Sequence, residues 1–140
     1  MKNIIVLLSV ALLLVACGKE QSEYEDLLAK ELSKDQDVLD YKLDPETLAE
    51  CVSDQVAGDV PAFSGSPVFE SHFKGYKLFL RPEDPSEIPK RIKQSEEIFG
   101  SSKEANKARL QVISHTMFCI PQVREKQERS DKLFSFGGDE

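Results

Sequence analysis

The chain has 140 residues, 40% of them hydrophobic and 31% charged, with 25 acidic against 18 basic side chains and a net charge of −7. That length holds one compact domain, and the charged fraction describes a well-solvated surface. The acidic balance argues against nucleic acid as a partner, because phosphate binding rests on clustered cationic charge.

Residues 1–16 carry Lys2, an apolar run from Ile4 to Leu14, and small residues ahead of Cys17. Spanning a bilayer takes about 20 apolar residues, so this stretch reads as a targeting segment that takes no part in the fold. The run Leu14-Val15-Ala16-Cys17 resembles the lipobox of bacterial lipoprotein signal peptides. The resemblance implies cleavage before Cys17 and attachment of several acyl chains, palmitate among them, to the new terminus. One chain alone would bind a membrane only marginally; several make a stable anchor. Gly18, standing where aspartate would favour inner-membrane retention, implies delivery to the outer membrane of a two-membrane envelope, with the domain facing the periplasm.

Charge is uneven in the remainder. Residues 18–60 hold 13 acidic and 4 basic side chains, whereas residues 90–132 hold 10 basic and 6 acidic. The acidic half follows the anchor, so anionic lipid repels it. The two faces keep the domain soluble and partly pair with each other. With Cys17 assigned to lipid, Cys51 and Cys119 remain as an even pair. Small extracytoplasmic domains commonly oxidise such pairs, and closing a loop of this length is worth roughly 4 kcal/mol.

The elements follow in chain order. Residues 17–21 read as the lipidated cysteine and a short polar tether, Gly18 to Gln21, reaching at most about 14 Å. The domain would therefore sit close to the membrane. Ser22-Glu23-Tyr24-Glu25 has the form of a capping box, and Tyr24, Leu27, Leu28 and Leu32 recur at helical spacing. A polar link, Lys34 to Asp37, follows. Asp44-Pro45 predicts a second helix start, with Leu48, Cys51, Val52 and Val56 on one face and Gly58 as its stop. The segment 59–67 is rich in turn residues. For 68–80 a helix is preferred, through Phe69, His72, Phe73, Tyr76 and Leu80, capped by Ser66-Pro67. Gly75 weakens it by about 1 kcal/mol, and the alternation of Tyr76, Leu78 and Leu80 leaves a short strand open.

Ser86 is read as the cap of the next helix, with Pro89 in its first turn, Ile88, Ile92, Ile98 and Phe99 on its apolar face, and Gly100 as its end. Ser101-Ser102-Lys103-Glu104 is another capping box. It opens a helix through Ala105, Ala108, Val112, Ile113, Thr116 and Ile120 to Pro121, whose broad apolar coverage predicts the central position. Gln122 to Lys132 continues as an exposed polar segment, and 133–140 is expected to be a mobile tail. The predicted fold class is all-α: a single domain over 22–132, a bundle of four to five short helices stapled by Cys51–Cys119.

Chemistry-bearing constellations are sparse. His72, His115, Cys51 and Cys119 match zinc or copper in number but lack metal-motif spacing, and a disulfide explains the cysteines more simply. No metal is expected, and that set stands as the alternative. Gly65-Ser66 is no nucleophile elbow, the pairs Glu96-Glu97 and Glu83-Asp84 face solvent, and no Gly-rich phosphate loop is present. No enzymatic activity and no cofactor beyond the lipid on Cys17 are expected. The aromatic run Phe69, Phe73, Tyr76 and Phe79 forms either core or an apolar groove that takes a partner's helix or strand. Leu133-Phe134-Ser135-Phe136 is a second, weaker docking candidate. The expected function is a lipid-anchored accessory or assembly factor of the envelope, binding a peptide or protein. Its size and layout are similar to those of pilotin-type lipoproteins, without a matching residue motif. The alternative is a periplasmic lipoprotein that binds metal or a small ligand through the Cys/His set.

Overall fold

In a computed structural model, residues 18–135 form six α-helices and one 3-10 turn, with side chains described through Leu133. The expectations for residues 1–17, including lipidation of Cys17, and for the end of the chain lie outside the described residues. The helices are α1 (Lys19–Leu32), α2 (Gln36–Asp40), α3 (Pro45–Asp59), α4 (Pro67–Lys77), α5 (Ile88–Phe99) and α6 (Ser102–Ser135), with the 3-10 turn at Pro85–Glu87. No strand occurs among the described residues, so the all-α expectation holds and the strand alternative for 68–80 does not.

Local signals placed several boundaries. The Asp44 carboxylate accepts the Thr47 amide at 2.9 Å, ahead of Pro45. Hydrogen bonds from the Thr47 hydroxyl and amide hold this carboxyl below its ordinary pKa. Ser66 Oγ accepts from the Phe69 amide at 3.2 Å, and Ser101 Oγ from the Glu104 amide at 3.1 Å. Gly100 ends α5 in the left-handed conformation, φ +90°, as C-terminal glycines do.

Three boundaries differ from the sequence reading. Helix α1 begins at Lys19, so Gly18–Gln21 is not a tether and Ser22 is not a cap. Tertiary partners replace the local cap. The Glu20 amide donates to the Glu70 carboxylate at 3.0 Å, and Lys77 Nζ bridges the carboxylates of Glu20 and, at 2.7 Å, Glu23. Partial burial alone would lower the Lys77 pKa, but its hydrogen bonds to the two glutamates outweigh this and hold it above the ordinary value. Short helix α2, unpredicted, is capped by Asp35, which accepts from the Asp37 and Val38 amides. Ser86 does not cap α5; Asp84 caps the 3-10 turn, and α5 follows directly.

The core lies where α3 packs between α1 and α6, and where α4 closes over α1. Tyr24, Leu48, Val52, Val56 and Phe73 are fully buried. Tyr24 meets Phe73 edge-on at 5.6 Å, and Phe69 packs on Phe73 at 4.9 Å. Such ring pairs add about 0.5–1.5 kcal/mol each beyond burial. Cys51 and Cys119 are bonded, joining α3 to α6. The central helix is therefore α3 rather than α6. Helix α6 buries Ala105, Ala108, Cys119 and Val123, while Leu110, Ile113, Met117 and Phe118 stand exposed. Nor does Pro121 end it, and the expected mobile tail is helical as far as Ser135. Beyond Pro121, Gln127 secures α6 to the α2–α3 connection by accepting from the Asp44 amide and donating to the Lys42 carbonyl, both at 3.3 Å.

Gly75 is required by packing. A Cβ there would lie 2.6 Å from Phe99 Cε2 and 3.0 Å from Ile98 Cγ2. The Phe99 ring cannot swing away, because it stacks on Phe79 at 5.6 Å and meets Tyr76 at 5.3 Å and His72 at 5.4 Å. Alanine gains about 1 kcal/mol of helix propensity, but overpacking costs typically 1–3 kcal/mol. We expect Gly75→Ala to lower unfolding stability by about 1 kcal/mol, measured as a reduced urea midpoint with an unchanged slope.

Candidate functional site: an apolar groove beside the α4–α5 connection

The aromatic run proposed as a groove is interior. Phe69, Phe73 and Tyr76 are 2%, 0% and 3% exposed, and burial raises the Tyr76 hydroxyl pKa to about 12. Only Phe79, a turn further on, reaches an opening. The helical period explains this: positions 69, 73 and 76 share the face that α1 covers, whereas 79 lies past the end of α4.

That opening is a groove of about 430 Å³ between the end of α4, α5 and the first turns of α6. Phe79, Ile88, Ile92 and Ala105 supply apolar wall, and Arg81, Arg91 and Arg109 stand around it, with Glu96 as a lining acid. Ile88 and Ile92 are 45% and 54% exposed, one turn apart on α5. Such a concave, mostly apolar surface with a few charged groups is what peptide-binding grooves offer.

The connection that forms one wall is fastened at several points. Arg91 donates to the Leu80 carbonyl and to Glu87, each at 3.2 Å. The Arg81 amide donates to Glu31 on α1 at 2.8 Å. Asp84 accepts from the Ser86 amide at 2.8 Å, and this bond holds the Asp84 carboxyl below its usual range. Behind this wall lies a wider, charged cleft of about 1200 Å³, lined by Lys30, Lys34, Lys74 and Lys77 together with Glu31, Asp35 and Glu83. It shares Leu78, Leu80, Arg81 and Arg91 with the apolar groove. The smaller groove is the better docking surface, because its floor is apolar and exposed charge pairs contribute little.

The Cys/His set does not assemble into a metal site. Both sulfurs are consumed in their mutual bond. His115 donates from Nε2 to Asp59 at 2.6 Å, and His72 donates from Nδ1 to the Val68 carbonyl at 2.8 Å. Among the described residues no three His, Cys, Asp or Glu side chains converge. No described helix is long and apolar enough to cross a membrane. Leu133 of the tail motif is exposed on the last turns of α6.

The face shared by α1 and α3 is acidic. Burial, with Glu50 and Asp54 nearby, raises the Glu25 pKa. Comparison with protein-family models, with characterised proteins and with solved structures returns no match. The raised Glu25 pKa means that folding disfavours its charged form. The penalty is absent below the ordinary carboxyl pKa, about 4.3, and is complete at neutral pH. We therefore expect Glu25→Gln to raise the thermal midpoint at pH 7 and to leave it unchanged near pH 3, as read by calorimetry at both values.

Proposed function

We propose that this chain is a non-enzymatic, lipid-anchored protein of the bacterial envelope that docks a peptide or protein partner in the groove beside α5. Cys17, behind its lipobox-like run, is the attachment point, with acyl chains including palmitate in the outer membrane and the helical domain on the periplasmic side. An accessory or assembly role, of the pilotin kind, is the reading consistent with a small stapled bundle. The single observation that carries the docking reading is the exposed pair Ile88 and Ile92 on the wall of an apolar groove of about 430 Å³.

The chemistry of the groove defines its occupant. Apolar wall selects an amphipathic segment that can bury two or more aliphatic or aromatic anchors at helical or strand spacing. Arg81, Arg91 and Arg109 select acidic residues flanking those anchors, chiefly through encounter rate and orientation. A helix starting at Lys19, with only Gly18 between it and Cys17, would hold the groove within one domain's breadth of the membrane. A periplasm-facing bundle also accounts for an oxidised Cys51–Cys119 pair, since cytosolic thiols stay reduced.

Two measurements test this reading. Full-length protein with Cys17→Ala should leave the membrane fraction and lose incorporation of labelled palmitate; unchanged membrane association would overturn the anchor. A photo-crosslinking residue at position 92 should capture a discrete envelope partner, while the same residue at exposed Leu39 should not. Arg109→Glu should abolish that adduct without moving the thermal midpoint. Equal capture at both positions would remove the groove as the docking site.

A further inference from the structure

Helix α6 carries two apolar faces, and the fold uses one. At 100° per residue, Ala105, Ala108, Cys119 and Val123 centre on the bundle side, and all four are buried. Leu110, Ile113, Met117 and Pro121 centre on the opposite side, spaced 3, 4 and 4 residues apart. Leu110, Ile113 and Met117 are 52%, 48% and 70% exposed, and Pro121 is exposed as well. A solvated helix face normally carries polar side chains.

The charges along this stripe say what covers it. Toward the start of α6 the stripe is flanked by Lys103 and Lys107; toward its end it is flanked by Glu125 and Glu128. All four are exposed. A two-fold axis makes residue i meet j while j meets i. Antiparallel apposition about a point between His115 and Thr116 sets Lys103 against Glu128 of the second copy and Lys107 against Glu125. The same register sets Leu110 against Pro121 and Ile113 against Met117. In a parallel arrangement each lysine and each glutamate would meet its own kind. Within one copy Glu128 and Glu125 pair with Arg124 and Arg129, at 3.0 and 3.2 Å. These pairs are exposed, and such pairs contribute only about 0.3–0.5 kcal/mol, so they do not oppose exchange of partners.

We propose that the outer face of α6 is a self-association surface, on which a second copy of this chain packs antiparallel through Leu110, Ile113, Met117 and Pro121. The bundle lies behind α6 in each copy, so both cores point away from the seam, and the groove beside α5 stays open. The surface is independent of the docking proposal above and stands or falls separately.

Disulfide trapping in the full-length protein tests the register. Positions 103 and 128 lie about 38 Å apart along one helix, so Lys103→Cys and Glu128→Cys in the same chain cannot bond to each other. Under mild oxidation the double variant should give a covalent dimer on a non-reducing gel. Each single variant should stay monomeric, and the two singles produced together should give the dimer again. Met117→Glu in the double variant should abolish it; the position is exposed, so folding is retained, as a thermal midpoint would confirm. A monomeric double variant overturns the proposal, and this is also the result if the stripe rests on lipid. Dimers from either single variant at the yield of the double would overturn the antiparallel register.

Discussion

The Phe99 ring lies on α4 only because residue 75 has no side chain, and the rest of the functional surface follows from that contact. With Phe99 lodged among His72, Tyr76 and Phe79, α5 is held at its C-terminal end. Along the rest of its length α5 stands off, and Ser95 is its only residue that is fully interior. The gap so created is the groove. Its apolar wall is the part of the α5 stripe that the core does not reach, Ile88 and Ile92. A helix packed tightly along its full length would have closed this space, and one without the Phe99 anchor would not define it.

Electrostatics organise the other side of α4. Lys77 draws two glutamates of α1 onto α4, and the Glu20 amide reaches Glu70 in the same interface. The hydrogen bond and the charge of Lys77 lower the pKa of Glu23. These contacts set α1 and α4 side by side in the same direction, which in turn aligns Tyr24 with Phe73 and Tyr76. Charge decides alignment here, while ring burial supplies most of the stability, because partly exposed ion pairs contribute little on their own. The acidic excess of residues 18–60 thus has two fates. Part of it is neutralised at the α4 seam, and part, at Glu25, Glu50 and Asp54, is left in mutual repulsion.

Most of the helical content was legible because caps are local. Asp44-Pro45, Ser66-Pro67 and Ser101 each satisfy amides within one turn, so the residues themselves announce the start. The start of α1 was not legible, since its amide is satisfied by Glu70, fifty residues away. The disulfide was legible through parity of the cysteines once Cys17 was set aside. The groove was half legible. Sequence pattern identifies an aromatic face on α4 but not what covers it, and α1 claims that face. Glycine at 75 was read only as a loss of helix propensity. Its actual role depends on a ring twenty-four positions later, which no local window contains.

The Cys51–Cys119 bond has a consequence for α6 beyond stability. It fastens the middle of a 34-residue helix to α3, the best-buried helix of the bundle. With the turn around Cys119 fixed on the core side, the opposite side of the same stretch is fixed in direction too. Met117, two residues away, is thereby presented outward at 70% exposure. Rotating α6 to hide Met117 would pull Cys119 out of the core and break its geometry with Cys51. Burial of the outer stripe therefore has to come from another molecule rather than from rearrangement of this one. The constraint that completes the core is the one that keeps the second apolar face exposed.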